Sequence, residues 1–427
     1  MENINEFLER YRLRGADINL ESLINAFISE MDNGLEGDDS SLRMIPTYIE
    51  ADNEFKTGVP VTAIDAGGTN FRAAKVMFTD DGKLEMTEPI MGKMPGQDGE
   101  VSKEDFFRII ADFVKKYAVE TDSIGFCFSY PTEILPNKDG KLLQFCKEVQ
   151  APEVVGELIG ENLLKTLGMA GKDIVLLNDT VATLLAGKSA SFEQEYDSYI
   201  GFILGTGTNT CYIESNERIT KNKNLEPGRS QIINIESGAF INAPRSEIDL
   251  KFDDTTSNPG QYTFEKMFSG GYFGGLTHMA LKTAADEGIL SAGSAEKLHS
   301  ADEMTTEDVN RFLDESSADR GPLLEYLTNK EDRIAALQLI KSLVLRAAKL
   351  VAANLAAVIL KTEKGKSPER PILITVEGTA YYKLHGLKSQ IEATLKDFLT
   401  GKNQCYYEFT YVEQSSLVGA ALAGLIE

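Results

Sequence analysis

The stretch Asp173–Gly187, DIVLLNDTVATLLAG, decides the fold. An apolar run, Ile174 to Leu177, stops abruptly at Asn178 and Asp179. After it, Val181, Leu184 and Leu185 recur at helical spacing. Two polar side chains therefore stand where a buried strand hands over to a helix, which is where open α/β sheets place their ligands. Beyond an acidic connector comes YIGFILGTGTN (199–209), a second apolar run, Ile200 to Leu204, that ends in Gly205-Thr206-Gly207-Thr208-Asn209. Glycines there let backbone N–H groups approach an anion, and the threonines add hydroxyl donors. A carboxylate and an anion-cradling turn this close in sequence point to phosphoryl transfer onto a hydroxyl. Taken alone, an Asp at such a junction also reads as a helix N-cap, and a Gly-Thr turn as a plain hairpin.

Outward from this stretch, VTAIDAGGTNFRAAKVMF (61–78) reads as two strands joined by the turn Asp65 to Asn70. The turn shares its Gly, Thr and Asn content with the one at Gly205, so the chain reads as two related α/β halves. Each half offers one phosphate-binding hairpin to a shared cleft. Between them, Ser102–Tyr117 is a helix opening on a Ser-x-x-Asp cap, 123–131 a strand ending at Ser129, 141–149 a short strand carrying Lys147, and 153–168 a helix. Strands alternating with helices argue for α/β architecture.

Near the N-terminus, residues 17–31 carry an amphipathic stripe (Leu20, Leu23, Ile24, Phe27, Ile28, Met31), with Gly34 as the expected stop. After Asn209 the spacing predicts a strand at 211–214, the segment INIESGAF at 233–240 and a loop from Ser246 to Gly260. A glycine-crowded helix is expected from Phe264 to Ala284, followed by short acidic helices and one long apolar helix over 331–361. A buried strand in PILITVEGTAYY (371–382), ending in Glu377-Gly378-Thr379, and a strand at 405–412 come next. The last is a small-residue helix whose N-terminus, near Ser415 to Gly419, can receive a phosphate.

The 427 residues are 42% hydrophobic and 26% charged, enough for two or three globular cores. A net charge of −23 speaks against nonspecific nucleic-acid binding and against docking on anionic lipid. The four cysteines have no CxxC spacing and read as reduced cytosolic thiols; the three histidines have no metal-ligand spacing. No signal-length apolar core stands at the N-terminus and no run is expected to reach transmembrane length. There is no GxxxxGK[ST] loop and no protein-kinase signature.

Taken in order, DAGGTNFR, FSYP, FCKEV, LNDTVATL, LGTGTNTCYIE, NIESGAF, FEKMFSGGY, VEGTAYYK and SSLVGAAL resemble the segments of the hexokinase family, from about residue 20 to the end. The resemblance implies an α/β protein of two actin-like ATPase (ribonuclease H-like) domains flanking a cleft. The small domain would hold 56–179 plus 412–427, and the large domain 1–55 plus 180–411. It implies ATP-dependent phosphorylation of a hexose, glucose foremost, at the 6-hydroxyl for glycolysis; the alternative is a catalytically weak sugar-binding regulator of the same fold.

Carried over, Asp179 is the general base, and Ser129, Lys147, Asn178, Asn209, Glu236 and Glu265 hold the other hydroxyls. Asp65 holds Mg²⁺ through water. Gly67, Gly68, Thr69, Asn70, Arg72, Gly205 and Thr206 surround the phosphates, while Gly378, Thr379, Ser416 and Gly419 lie near the nucleoside. The implied cofactor is Mg²⁺ with ATP and the partners are hexose and ATP. A cytoplasmic monomer or homodimer is expected, without nucleic acid or membrane.

The sequence departs from the family pattern at Cys146, Phe145, Ser237, Gly275, Glu377 and the run Ser415-Ser416-Leu417. Leu417 stands where the family has a glycine. Its side chain must point away from the nucleoside or narrow its pocket, so weak ATP affinity and tolerance of another donor are expected.

Overall fold

The computed structural model describes residues 3–50, 54–68, 70–145, 149–189 and 194–426. The strands among them are β1 (Ile45–Pro46), β2 (Val61–Gly67), β3 (Asn70–Phe78), β4 (Leu84–Met86), β5 (Ile90–Lys93), β6 (Ser123–Phe128), β7 (Thr132–Ile134), β8 (Gly140–Leu142), β9 (Asp173–Leu177), β10 (Ser198–Leu204), β11 (Thr208–Ser215), β12 (Ser230–Asn234), β13 (Ile372–Glu377) and β14 (Tyr407–Thr410). One sheet runs β4-β3-β2-β6-β9, with β5 also on β3, and the other β1-β12-β11-β10-β13-β14. β7 and β8 form a separate hairpin.

The two large sheets share a plan. An antiparallel hairpin (β2–β3, or β10–β11) carries a third antiparallel strand on its outer side. Two parallel strands lie on the other side, β6 and β9 in one sheet and β13 and β14 in the other. The likeness of the turns at Gly67 and Gly205 is thus a likeness of position: each closes the first hairpin of its sheet.

Two helices join the halves. Asp179–Ser189 lies on β10 and β13, Ser415–Leu425 lies on β2 and β6, and the two helices pack on each other. The packing is close enough to need glycine: a Cβ at Gly419 would meet the Ala182 carbonyl oxygen at 1.9 Å. Asp179 therefore starts a helix wedged between the sheets, at the bottom of the cleft they form. The helix Lys330–Thr362 runs through the core of the second half. By length and composition alone it could cross a membrane, so the expectation of no such run is corrected; here it is mostly buried by its neighbours.

Several boundaries differ from those the sequence suggested. The N-terminal helix continues through Gly34 to Glu36 and stops at Gly37, whose φ of 86° is the left-handed cap. The 153–168 helix shortens to Ile159–Leu167, because Pro152–Val154 forms a separate 3-10 turn. The 141–149 strand ends at Leu142. The expected loop after Ser246 contains a helix, Glu247–Thr255, with Ser246 and Asp249 forming a reciprocal capping box. The glycine-rich helix is broken: Glu265–Met267 is one 3-10 turn, and the helix proper is Phe273–Asp286.

Candidate active site

The end of β9, the loop after β6, the β10–β11 hairpin, the end of β12 and the Glu265 turn converge on one cavity of about 210 Å³. Its lining includes Ser129, Asn178, Asp179, Asn209, Glu236 and Glu265, six of the seven residues expected to hold the sugar and take its proton. The seventh, Lys147, lies outside the described residues. Ser129 comes from one half, and Asn209, Glu236 and Glu265 from the other.

The amides and carboxylates hold one another in a fixed arrangement. Asn209 Nδ2 donates to Asn234 Oδ1 (2.7 Å) and Asn234 Nδ2 donates to Glu236 Oε1 (2.9 Å). Asn209 Oδ1 accepts from the Thr210 N–H at 2.7 Å, which fixes its orientation. Glu236 has φ 61°, a left-handed conformation held by a non-glycine residue at a polar site. Glu265 Oε2 accepts from the Thr208 N–H (2.8 Å). Gly207 makes room for that carboxylate, since a Cβ there would lie 2.5 Å from Glu265 Oε2. Asn234 opens the NIESGAF segment but was given no role in the sequence, where Glu236 alone was singled out.

Asp179 Oδ1 accepts from the Thr180 N–H (2.7 Å). Burial pushes its pKa up to about 7, helped by the charges of Asp65, Glu377 and Glu236 and opposed by that N–H. Glu265 is also pushed up to about 7, by burial first and then by Glu236. A carboxylate poised near neutrality at the floor of a polar cavity can take a proton from a hydroxyl held beside it.

Above Asp179 stands the first hairpin turn. Asp65 Oδ2 accepts from Arg72 Nη2 (2.5 Å) within the β2–β3 pair. Gly68, with φ 58°, turns the chain, and its carbonyl accepts from the Tyr130 hydroxyl (2.8 Å). Asn70 opens β3 opposite Gly67. Thr69 lies outside the described residues. Among the described residues no group of three or more His, Cys, Asp and Glu side chains is placed to ligate a metal directly. Yet the charge of Asp65 raises the pKa of both Asp179 and Glu377, and Glu377 adds to the rise at Asp179, with Arg72 as the opposing cation at Glu377. That excess of negative charge fits a cation held mainly by phosphates, with Asp65 acting through water.

The second hairpin turn is strapped by the broken helix. The Gly270 N–H donates to Gly205 O (2.7 Å) and the Gly271 N–H to Thr206 O (2.9 Å). This contact is why those glycines interrupt the helix. Beside the turn, Gly205, Thr206 and Thr379 line a further cavity of about 410 Å³. Its far wall comes from the helix Thr306–Leu313, which the sequence did not single out, and from Lys383, the last residue of the VEGTAYYK segment. Gly378, at φ 119°, sits tight against the end of β10.

Of the four residues expected near the nucleoside, Thr379 lines that cavity and Gly378 lies beside it against Gly205, while the other two lie elsewhere. Gly419 is occupied by its contact with Ala182, and Ser416 is buried in the first turn of the Ser415–Leu425 helix; neither lines that cavity. Leu417 is likewise helical, and fully buried in the core between the two halves. Its side chain points into that core and narrows no pocket, which removes the ground for expecting weak ATP affinity from it.

Two hexokinase family models match the chain, over residues 3–189 and 199–426. Hexokinase-3 of Homo sapiens is 31% identical over 92% of this chain and 44% of its own length. Hexokinase-1 of Schizosaccharomyces pombe is 29% identical over 96% of this chain and 87% of its own length. The chain thus spans less than half of some curated relatives and most of others. The solved hexokinase from Schistosoma mansoni, complexed with glucose, shares the fold with a TM-score of 0.79 at 22% identity, over 99% of this chain and 98% of that one. With both family models matched and the polar residues of both halves gathered around Asp179, the chain belongs to the hexokinase family.

Proposed function

We propose that this chain transfers the terminal phosphoryl group of ATP to the 6-hydroxyl of a hexose, glucose foremost, feeding glycolysis. The observation that carries this reading is Asp179: a carboxylate pushed up to about 7, at a cavity whose lining comes from both sheets. Asn178, Asn209, Glu236 and Glu265 offer donors and acceptors that match a ring of hydroxyls, so they orient the sugar and select it. Asp179 accepts the proton of the 6-hydroxyl as its oxygen bonds to the terminal phosphorus. The bond from that phosphorus to the bridging oxygen breaks, and ADP leaves. Backbone N–H groups of the turns at Gly67 and Gly205 receive the phosphates. Mg²⁺, carried with ATP and held by Asp65 through water, would supply positive charge to the phosphates.

A cytoplasmic setting agrees with the three described cysteines, which are buried and unpaired, and with the charge of −23, which also disfavours nucleic acid and membrane surfaces. The protein acts as a monomer or homodimer.

The test is a coupled assay across several hexoses with ATP, for the wild type and Asp179→Ala. The variant is expected to lose ~10²–10⁴ in kcat while still binding sugar. Near-normal turnover in the variant would remove Asp179 from the role of base.

A further inference from the structure

We infer that the nucleoside cavity reads guanine, and that GTP is a donor for this protein at least as good as ATP. The inference rests on the phosphotransfer reading above and concerns the donor's base. The cavity beside Gly205 and Thr379 faces the helix Thr306–Leu313, which presents Glu307 and Asn310 three residues apart on one side. The side chain of Glu307 is exposed and has no hydrogen-bond or ion-pair partner among the described residues. It leaves two carboxylate oxygens free to accept.

The carboxamide of Asn310 is fixed the other way. The His385 N–H donates to Asn310 Oδ1 (2.8 Å), so the amide oxygen is engaged and the NH₂ group is left to donate. Arg311, on the same wall, is engaged by Asp308 (2.6 Å) and Asp319 (3.2 Å). Lys383 has no ion-pair partner among the described residues and supplies a second donor.

The wall therefore pairs a two-oxygen acceptor with one fixed donor, Asn310, and one free donor, Lys383. Guanine carries two adjacent donors, N1–H and the N2 amino group, next to one acceptor, O6. The carboxylate can take both donors at once while Asn310 or Lys383 serves O6. Adenine offers the wall one donor, its N6 amino group, and one acceptor, N1. A carboxylate facing adenine keeps one oxygen without a partner from the base, so the pairing favours guanine.

The test is titration calorimetry of the full chain, saturated with glucose, against GDP, IDP and ADP. IDP keeps N1–H and O6 but lacks the N2 amino group. The expected order of affinity is GDP, then IDP, then ADP. Glu307→Gln should weaken GDP by at least about tenfold, within the range of one bidentate base contact, and ADP by much less. The variant sits on an exposed helix face, and an unchanged thermal midpoint checks that it folds. ADP binding as tightly as GDP, or Glu307→Gln shifting both alike, would overturn the inference. A parallel transfer assay with GTP and ATP separates the two readings. If neither nucleotide yields hexose phosphate while GDP still binds more tightly, the proposed function fails and the base assignment stands.

Discussion

Asp179 is held at a pKa of about 7 by burial and by neighbouring carboxylates, and this has a readable consequence for activity. A base must be unprotonated to accept a proton. Below about 7 the raised pKa keeps Asp179 protonated, so kcat should fall by about tenfold per pH unit on the acid side and level off above neutrality. A pH–rate profile flat from 5 to 8 would contradict the assignment. Glu265, also near 7, should add an ionisation to the hexose KM, and the two carboxylates share the site, so the profile reports the pair.

At this scale the sequence was legible where a polar residue interrupts an apolar run: Asn178, Asp179 and Asn209 were found that way. Asn234 was not, because its importance lies in holding Asn209 and Glu236 across strands, which spacing along one strand does not reveal.

Among the elements, the glycine turns and the two wedged helices divide the labour between binding and stability. Gly207 is small because the Glu265 carboxylate lies against it, and Gly419 because the Ala182 backbone does. Gly207→Ala displaces a side chain in the sugar cavity, so the hexose KM should rise by about tenfold or more with little change in the thermal midpoint. Gly419→Ala forces backbone against backbone between the helices, so stability should fall by roughly 1–3 kcal/mol while the hexose KM is kept in the folded fraction. Urea unfolding midpoints and initial rates separate the two cases; identical behaviour of both variants would contradict this division.

The strand–turn–helix junctions were legible because apolar runs and their breakers are local. The helix Glu247–Thr255 carried its own signal in the Ser246/Asp249 cap, yet its acidic composition read as loop. The direction of Leu417 was open because a loop and a helical first turn look alike in sequence. Only packing between the halves fixes that side chain in the core. The part of the wall formed by Thr306–Leu313 was hidden because it comes from a segment with no motif, distant in sequence from the VEGTAYYK segment that brings Lys383.

Over the whole molecule, two sheets of the same plan meet at a pair of packed helices, and the cavity at Asp179 draws on both halves. That duplication was legible from two similar turns, each following an apolar strand. A hexose gripped by Ser129 from one half and by Asn209, Glu236 and Glu265 from the other favours the closed arrangement. Glucose without nucleotide should therefore reduce the radius of gyration in solution scattering, raise the thermal midpoint and tighten the binding of a non-hydrolysable ATP analogue. Closure also excludes water, the competing phosphoryl acceptor. Saturating glucose that changes neither the radius nor the analogue's affinity would contradict the two-sided grip. The most direct measurement is phosphorus NMR of the product formed from ATP and glucose. Asp179 at the cavity floor predicts a phosphate ester on the 6-oxygen as the sole sugar product. An ester at another hydroxyl, or release of inorganic phosphate with the sugar unchanged, would contradict the account.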